Sequence, residues 1–191
     1  MIDPRSADDA RRARLLDAAL LVFLRYGFRK ASMDDIARAA QLSRQGLYLH
    51  FNSKEDLLRA TIEYALDSSM ADARASLEDP AATLEARLVG AMDAWTGRYV
   101  GMVGVGAAEL AEVSVLVEPL YASREASFIQ ALHLALSPLA ATPHYQRLNV
   151  SAEQLARTLH ATARGLKHSC ASRAAFLDAI ATAARILCAP L

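Results

Sequence analysis

Ser32-Met33-Asp34-Asp35-Ile36-Ala37-Arg38-Ala39-Ala40-Gln41-Leu42-Ser43-Arg44-Gln45-Gly46-Leu47-Tyr48-Leu49-His50-Phe51 is the stretch on which the fold turns. It reads as a short helix, a tight turn and a second short helix. Ser32 and Asp35 stand at the spacing of a capping box, with Asp in place of the usual Glu. Met33, Ile36, Ala37 and Ala40 give the first helix an inward face. Ala37, Ala39 and Ala40 are small enough for a close helix crossing. Ser43 can cap the second helix, over about Arg44 to His50, and Leu47 and Phe51 are its inward candidates. Ser43, Arg44, Gln45 and His50 remain for the outside. Two short helices so joined form a helix-turn-helix, whose second helix can lie in the major groove of DNA.

Upstream, Asp8 or Asp9 can cap a helix that carries Leu15, Leu16, Ala19, Phe23 and Tyr26 at helical spacing. Gly27 is its expected left-handed end. Downstream, Asn52-Ser53 breaks the chain and Ser53 or Asn52 can cap a long helix from near Lys54 to about Leu77. Further helices are expected over Ala82–Val100, Ala107–Val115 and Leu120–Leu136. Gly101 to Gly106 reads as a bend, Pro119 as a helix start and Ala140 to Asn149 as a loop. Ser151, with Gln154 as return partner, opens a helix over Ala152 to about Ser169. A last helix fits Arg173 to Leu187. Nothing alternates like a strand, so the expected class is all-α, with about nine helices.

Bulk composition agrees with a globular chain. Of 191 residues, 53% are hydrophobic and 22% charged, with eight glycines and six prolines. The net charge is zero, but residues 1–58 hold ten basic against eight acidic side chains and the remainder eleven against thirteen. Cys170 and Cys188 have no C-x-x-C spacing and read as buried thiols. The charged start and the lack of any long apolar run imply neither a signal peptide nor a membrane span, and a cytoplasmic place. Gly104-Val105-Gly106-Ala107-Ala108-Glu109 approaches a dinucleotide fingerprint, but Glu109 replaces its third glycine and no strand precedes it. No catalytic motif is present, so the reading is not an enzyme, with no cofactor and no metal. His160, Arg164 and His168 share one helix face, as a metal or anion site or as an exposed polar face.

Gly27-Phe28, Ser32 to Ala37, Ala40 to Ser43, Gly46 to Phe51 and Ser53-Lys54-Glu55-Asp56-Leu57-Leu58 together resemble the TetR family of bacterial repressors. The likeness covers about residues 10–60. Two departures are visible: Ala31 replaces the family's usual Thr, and Gln41 stands where Gly eases a left-handed turn. The resemblance implies an N-terminal DNA-binding domain over residues 1–53. Over residues 54–191 it implies a helical ligand-binding and dimerisation domain. Arg44 and Gln45 become the candidates for base edges, Arg for guanine and Gln for adenine. Gly46 would let the backbone approach DNA. Tyr48, His50 and Lys54 would touch phosphates, with Ser32 and Ser43 beside them. Tyr48 and His50 could equally be packing residues, and Lys54 part of a solvated turn.

The implied partners are a near-palindromic double-stranded operator and a second copy of the chain, joined through the helices at about 152–169 and 173–187. Alanines and Gly165 on those helices suit close approach. A small apolar or aromatic effector would sit among Met92, Trp95, Tyr99, Met102, Tyr121 and Phe128, which could equally be plain core. Glu109, Glu112, His133 and His160 are possible polar contacts there. The resulting reading is a ligand-responsive repressor. A helical adaptor, or an orphan regulator with no small-molecule ligand, is the alternative.

Overall fold

The computed structural model describes residues 4–101 and 107–189. Nine α-helices and one 3-10 turn are found among them: α1 Pro4–Lys30, α2 Met33–Ala39, α3 Arg44–Tyr48, α4 Lys54–Glu78, α5 Leu84–Trp95, the turn Gly97–Tyr99, α6 Ala107–Ala140, α7 Pro143–Leu148, α8 Ala152–Ser169 and α9 Arg173–Cys188. The described residues contain no strand. No helix among them is long and apolar enough to cross a membrane.

Helix starts follow the caps read from sequence. Ser32 and Asp35 form the reciprocal box, and so do Ser151 and Gln154. Ser43 accepts from the Gly46 N–H at 2.9 Å and Ser53 from the Asp56 N–H at 3.0 Å. The first helix departs from expectation, for it already runs from Pro4 rather than from Asp8 or Asp9. Gly27 (φ 77, ψ 165) breaks its geometry, and helical bonding resumes to Lys30.

Prolines misled the reading further on. Helix α6 continues through Pro119 and Pro138, each of which removes one backbone bond from a helix of 34 residues. The expected loop after Ala140 instead holds α7, with Pro143 in its first turn, where a missing N–H costs nothing. In the other direction, α5 stops at Trp95 instead of reaching Val100. The chain leaves helical geometry at Thr96 (φ −123) and turns at Gly97, where an added Cβ would lie 2.8 Å from the Phe176 ring. That close approach to α9 requires glycine.

The chain forms two compact units. The first comprises Met1–Asp67 with Met102–Tyr121, and the second Ser68–Gly101 with Ala122–Leu191. In the first, Leu15, Leu16, Ala19 and Phe23 of α1 pack with Met33, Ile36, Ala37, Leu47 and Phe51, and Leu57 and Leu58 of α4 join them. The start of α4 thus belongs to this core, although the sequence placed a boundary at residue 53. Tyr26, read on the helical stripe of α1, and Ala39, read at the helix crossing, are exposed.

The second unit is built on Leu88, Met92, Trp95, Phe128, Leu132, Leu136, Leu159, Phe176 and Ile180. Arg173 clamps α9 to α5 by donating to both Asp93 oxygens, at 2.8 and 2.5 Å. The small residues of α8 and α9 divide. Ala156, Ala163 and Ala184 pack inside the unit, while Ala161, Gly165, Ala174 and Ala175 face outward.

His160 is buried at 4% exposure, against the exposed polar face that its spacing with Arg164 and His168 allowed. Its Nε2 lies 3.5 Å from Glu125 Oε1 and makes no hydrogen bond among the described residues. Burial pushes its pKa below the ordinary 6.5, Glu125 opposes the shift and Arg164 adds to it. The unfolded chain therefore takes up a proton that the folded chain resists. Stability should be full above 6.5 and fall as pH drops from there toward the lowered value. Urea unfolding at about pH 5 and about pH 7.5 should show this loss, and His160→Gln should shrink it.

Candidate nucleic-acid interface

Between α2 and α3 the backbone closes in a left-handed turn. Gln41 has φ 57, the Leu42 N–H donates to Ala37 O at 2.8 Å, and the Gln41 N–H to Arg38 O at 3.2 Å. These are the two bonds of a Schellman end. The strain anticipated at Gln41 is therefore located. Gln41→Gly should raise stability by about 0.5–1 kcal/mol, read as a higher urea midpoint. An unchanged or lower midpoint would show that the turn tolerates Gln41 without cost.

Helix α3 has only five residues and is held from below, with Leu47 fully buried. Its other side stands open: Arg44, Gln45, Tyr48, Leu49 and His50 are all exposed. Arg44 Nη1 donates to Asp34 Oδ2 at 3.0 Å, and its guanidinium lies 5.7 Å from the Tyr48 ring centre. His50 abuts Phe51, and the Arg12 guanidinium lies 5.3 Å from the centre of the Phe51 ring. Gly46 has a structural reason beyond approach to DNA, since a Cβ there would lie 3.1 Å from the capping Ser43 oxygen.

Two expected contacts are committed elsewhere. The Ser32 hydroxyl donates to Asp35 Oδ2 at 2.5 Å and accepts from the Asp35 N–H at 3.1 Å. The hydroxyl's bond, with a second from the Ser32 N–H to the same Oδ2 at 3.2 Å, holds the Asp35 carboxyl below its ordinary pKa. Lys54 reaches back to the end of α1. Its Nζ donates to Phe28 O at 2.8 Å, Ala31 O at 3.1 Å and Arg29 O at 3.5 Å, and sits 4.4 Å from the Phe28 ring centre. This ammonium satisfies carbonyls that a helix end leaves open.

Two neighbours escaped the sequence reading. Leu49, 81% exposed, lies one turn beyond Gln45 and donates its N–H to Gln45 O at 3.1 Å. An apolar residue on an otherwise polar face was the available signal. Asp34 showed no signal beyond its place in the first turn of α2.

Of the pocket candidates, Met92 and Phe128 are fully buried and Trp95 nearly so. Phe128 stacks on Trp95 at 4.7 Å and meets His160 edge-on at 5.9 Å. Tyr99 pairs its hydroxyl with Ser69 Oγ at 2.9 Å. Tyr121 falls in the first unit, and Met102 lies outside the described residues. Trp95 and Phe128 are thus packed core. Among the described residues no group of three or more metal-ligating side chains occurs.

Known proteins agree with this geometry. Residues 15–61 match the model for bacterial regulatory proteins of the tetR family. The HTH-type transcriptional activator FasR of Mycolicibacterium smegmatis is 41% identical over 69 residues, 36% of this chain and 32% of that protein. The HTH-type transcriptional repressor KstR2 of Rhodococcus jostii is 39% identical over 87 residues, 44% of this chain and 43% of that protein. The match thus spans less than half the length of these curated relatives. A TetR-like transcriptional regulator from Rhodococcus sp. RHA1, of solved structure, covers 94% of this chain and 97% of its own, with TM-score 0.61 and 26% identity. The helix-turn-helix, its family match and the likeness along nearly the whole chain lead to one conclusion: residues 15–61 form a helix-turn-helix of the kind found in bacterial regulatory proteins of the tetR family, and the chain shares the fold of a TetR-like transcriptional regulator.

Proposed function

We propose that the chain acts as a homodimeric repressor that leaves a near-palindromic operator when a small apolar or aromatic effector binds the helical region beyond residue 53. One observation carries the DNA part. Helix α3 buries Leu47 and turns Arg44, Gln45, Tyr48 and Leu49 outward together. Arg44 reads guanine and Gln45 adenine, since each side chain can make two hydrogen bonds to its base. Leu49 meets a thymine methyl group. Tyr48 and His50 contact phosphate, which fixes register without reading sequence. Lys54 supports this surface from behind.

The outward small residues of α8 and α9, with Gly165 opening on free space, support a dimer through these helices. Ile186, 73% exposed, adds an apolar side chain on α9. Two copies related by a two-fold axis present their α3 helices about one DNA turn apart. Repression accords with KstR2, a transcriptional repressor, whereas FasR is an activator. The effector lowers DNA affinity by favouring a different spacing, and DNA must weaken effector binding by the same factor. An apolar effector carrying one hydrogen-bonding group suits the second unit, where His160 Nε2 has no hydrogen-bond partner among the described residues.

The test is fluorescence anisotropy on the DNA flanking the gene, with random duplex as competitor, at several salt concentrations. Selective, salt-sensitive binding is expected, and sedimentation should report two chains per complex. Arg44→Ala should cost about tenfold in discrimination between the two DNAs. Equal loss on both would remove its base-reading role. No binding to either DNA at low salt would favour the helical adaptor.

A further inference from the structure

The base-reading role proposed for Arg44 has a second participant ten residues upstream. We infer that Asp34 is a specificity-determining residue, whose carboxylate holds the Arg44 guanidinium in the attitude that reads guanine and keeps it from phosphate. The inference rests on the DNA-reading function proposed above.

The geometry spans the turn. Asp34 lies in the first turn of α2 and Arg44 opens α3, and the two meet through Nη1 and Oδ2 at 3.0 Å. The Arg44 side chain is 63% exposed and that of Asp34 50%, so the pair stands on the open surface beside Gln45. Pairs this exposed add little to stability. Capping of α2 falls to Ser32 and Asp35, which complete their box without Asp34. Beyond its charge at the start of α2, the contact Asp34 makes is the one with Arg44.

A guanidinium offers five N–H groups in a rigid fork. Asp34 takes the Nη1 side. The remaining edge, Nε with Nη2, carries two parallel N–H groups, the pattern that guanine O6 and N7 accept. The Tyr48 ring, 5.7 Å from the guanidinium carbon, limits the same group from a second direction. Arg44 therefore arrives at DNA already oriented, and less side-chain freedom is lost on binding. The carboxylate also acts against the wrong target. Binding to random DNA comes almost wholly from phosphate contacts. A negative charge beside Arg44 disfavours a phosphate there, while a guanine edge bears no such charge. Discrimination rises because the competing state is penalised.

The experiment uses the full chain and a duplex enriched by the wild-type protein from a random-sequence pool. Wild type, Asp34→Ala, Arg44→Ala and the double variant are titrated with that duplex and with random duplex of equal length. Asp34→Ala should bind random duplex several-fold more tightly, and its discrimination should fall about tenfold. With Arg44→Ala already present, the same substitution should change discrimination by less than about twofold. Asp34→Glu should recover part of the loss. Unchanged discrimination in Asp34→Ala overturns the inference. So does an equal loss with and without Arg44, which would mark a merely structural effect on α2. Failure of the wild type to enrich any sequence would overturn the DNA-reading function as well, and is thereby distinct from failure of Asp34 alone.

Discussion

Lys54→Ala is expected to destabilise the first unit by about 2–3 kcal/mol and to leave the salt dependence of DNA binding unchanged for the folded protein. The ammonium donates to the carbonyls of Phe28 and Ala31 at 2.8 and 3.1 Å, with Arg29 at 3.5 Å. Hydrogen bonds to a charged group are among the stronger ones, and truncation leaves several acceptors without a donor. Loss of the contact with the Phe28 ring adds to this. Lys54→Met separates the two effects, because it keeps the stem over the ring and removes only the donor. The rival expectation, a phosphate contact, makes the opposite prediction. Removing one such contact should lower the salt slope by about 0.9 and barely move the melting temperature. Thermal melts and anisotropy at four salt concentrations decide between them.

Phe128→Ala is the second large effect, expected at about 3–5 kcal/mol of lost stability. Phe128 has no exposed surface and lies flat against Trp95, their planes 14° apart. Removing the ring forfeits its burial, its stacking and its edge contact with His160, and leaves a cavity. The magnitude is diagnostic. If Trp95 and Phe128 lined an open pocket, truncation would expose little new surface and cost under about 1 kcal/mol. A large shift of the urea midpoint marks the pair as core, to be opened only by an effector that restores equivalent contacts.

Local chemistry was the legible part of this molecule. A capping residue satisfies an N–H only three positions away, so Ser32, Ser43, Ser53 and Ser151 could be read directly. Helical spacing likewise placed Leu15, Ile36 and Leu47 inside. What failed depended on distant partners. Pro119 weakens a helix locally, yet α6 runs on through it. The carbonyls that hold Lys54 lie more than twenty residues upstream, and no spacing rule announces them. His160 read as a surface group because burial belongs to the packed unit rather than to its neighbours in sequence.

The brevity of α3 also bears on how such a protein changes over generations. Five residues are too few to hold a helix in water by themselves. The helix persists because Leu47 is gripped from beneath and Ser43 closes its start. Its outward side chains contribute little to that persistence, and exchanges at such exposed positions commonly shift stability by no more than about 0.5 kcal/mol. Arg44, Gln45, Tyr48 and Leu49 can therefore be replaced by drift at small cost to the fold. Duplicated copies of this gene could acquire new target sequences through single substitutions, with the scaffold beneath them unaltered.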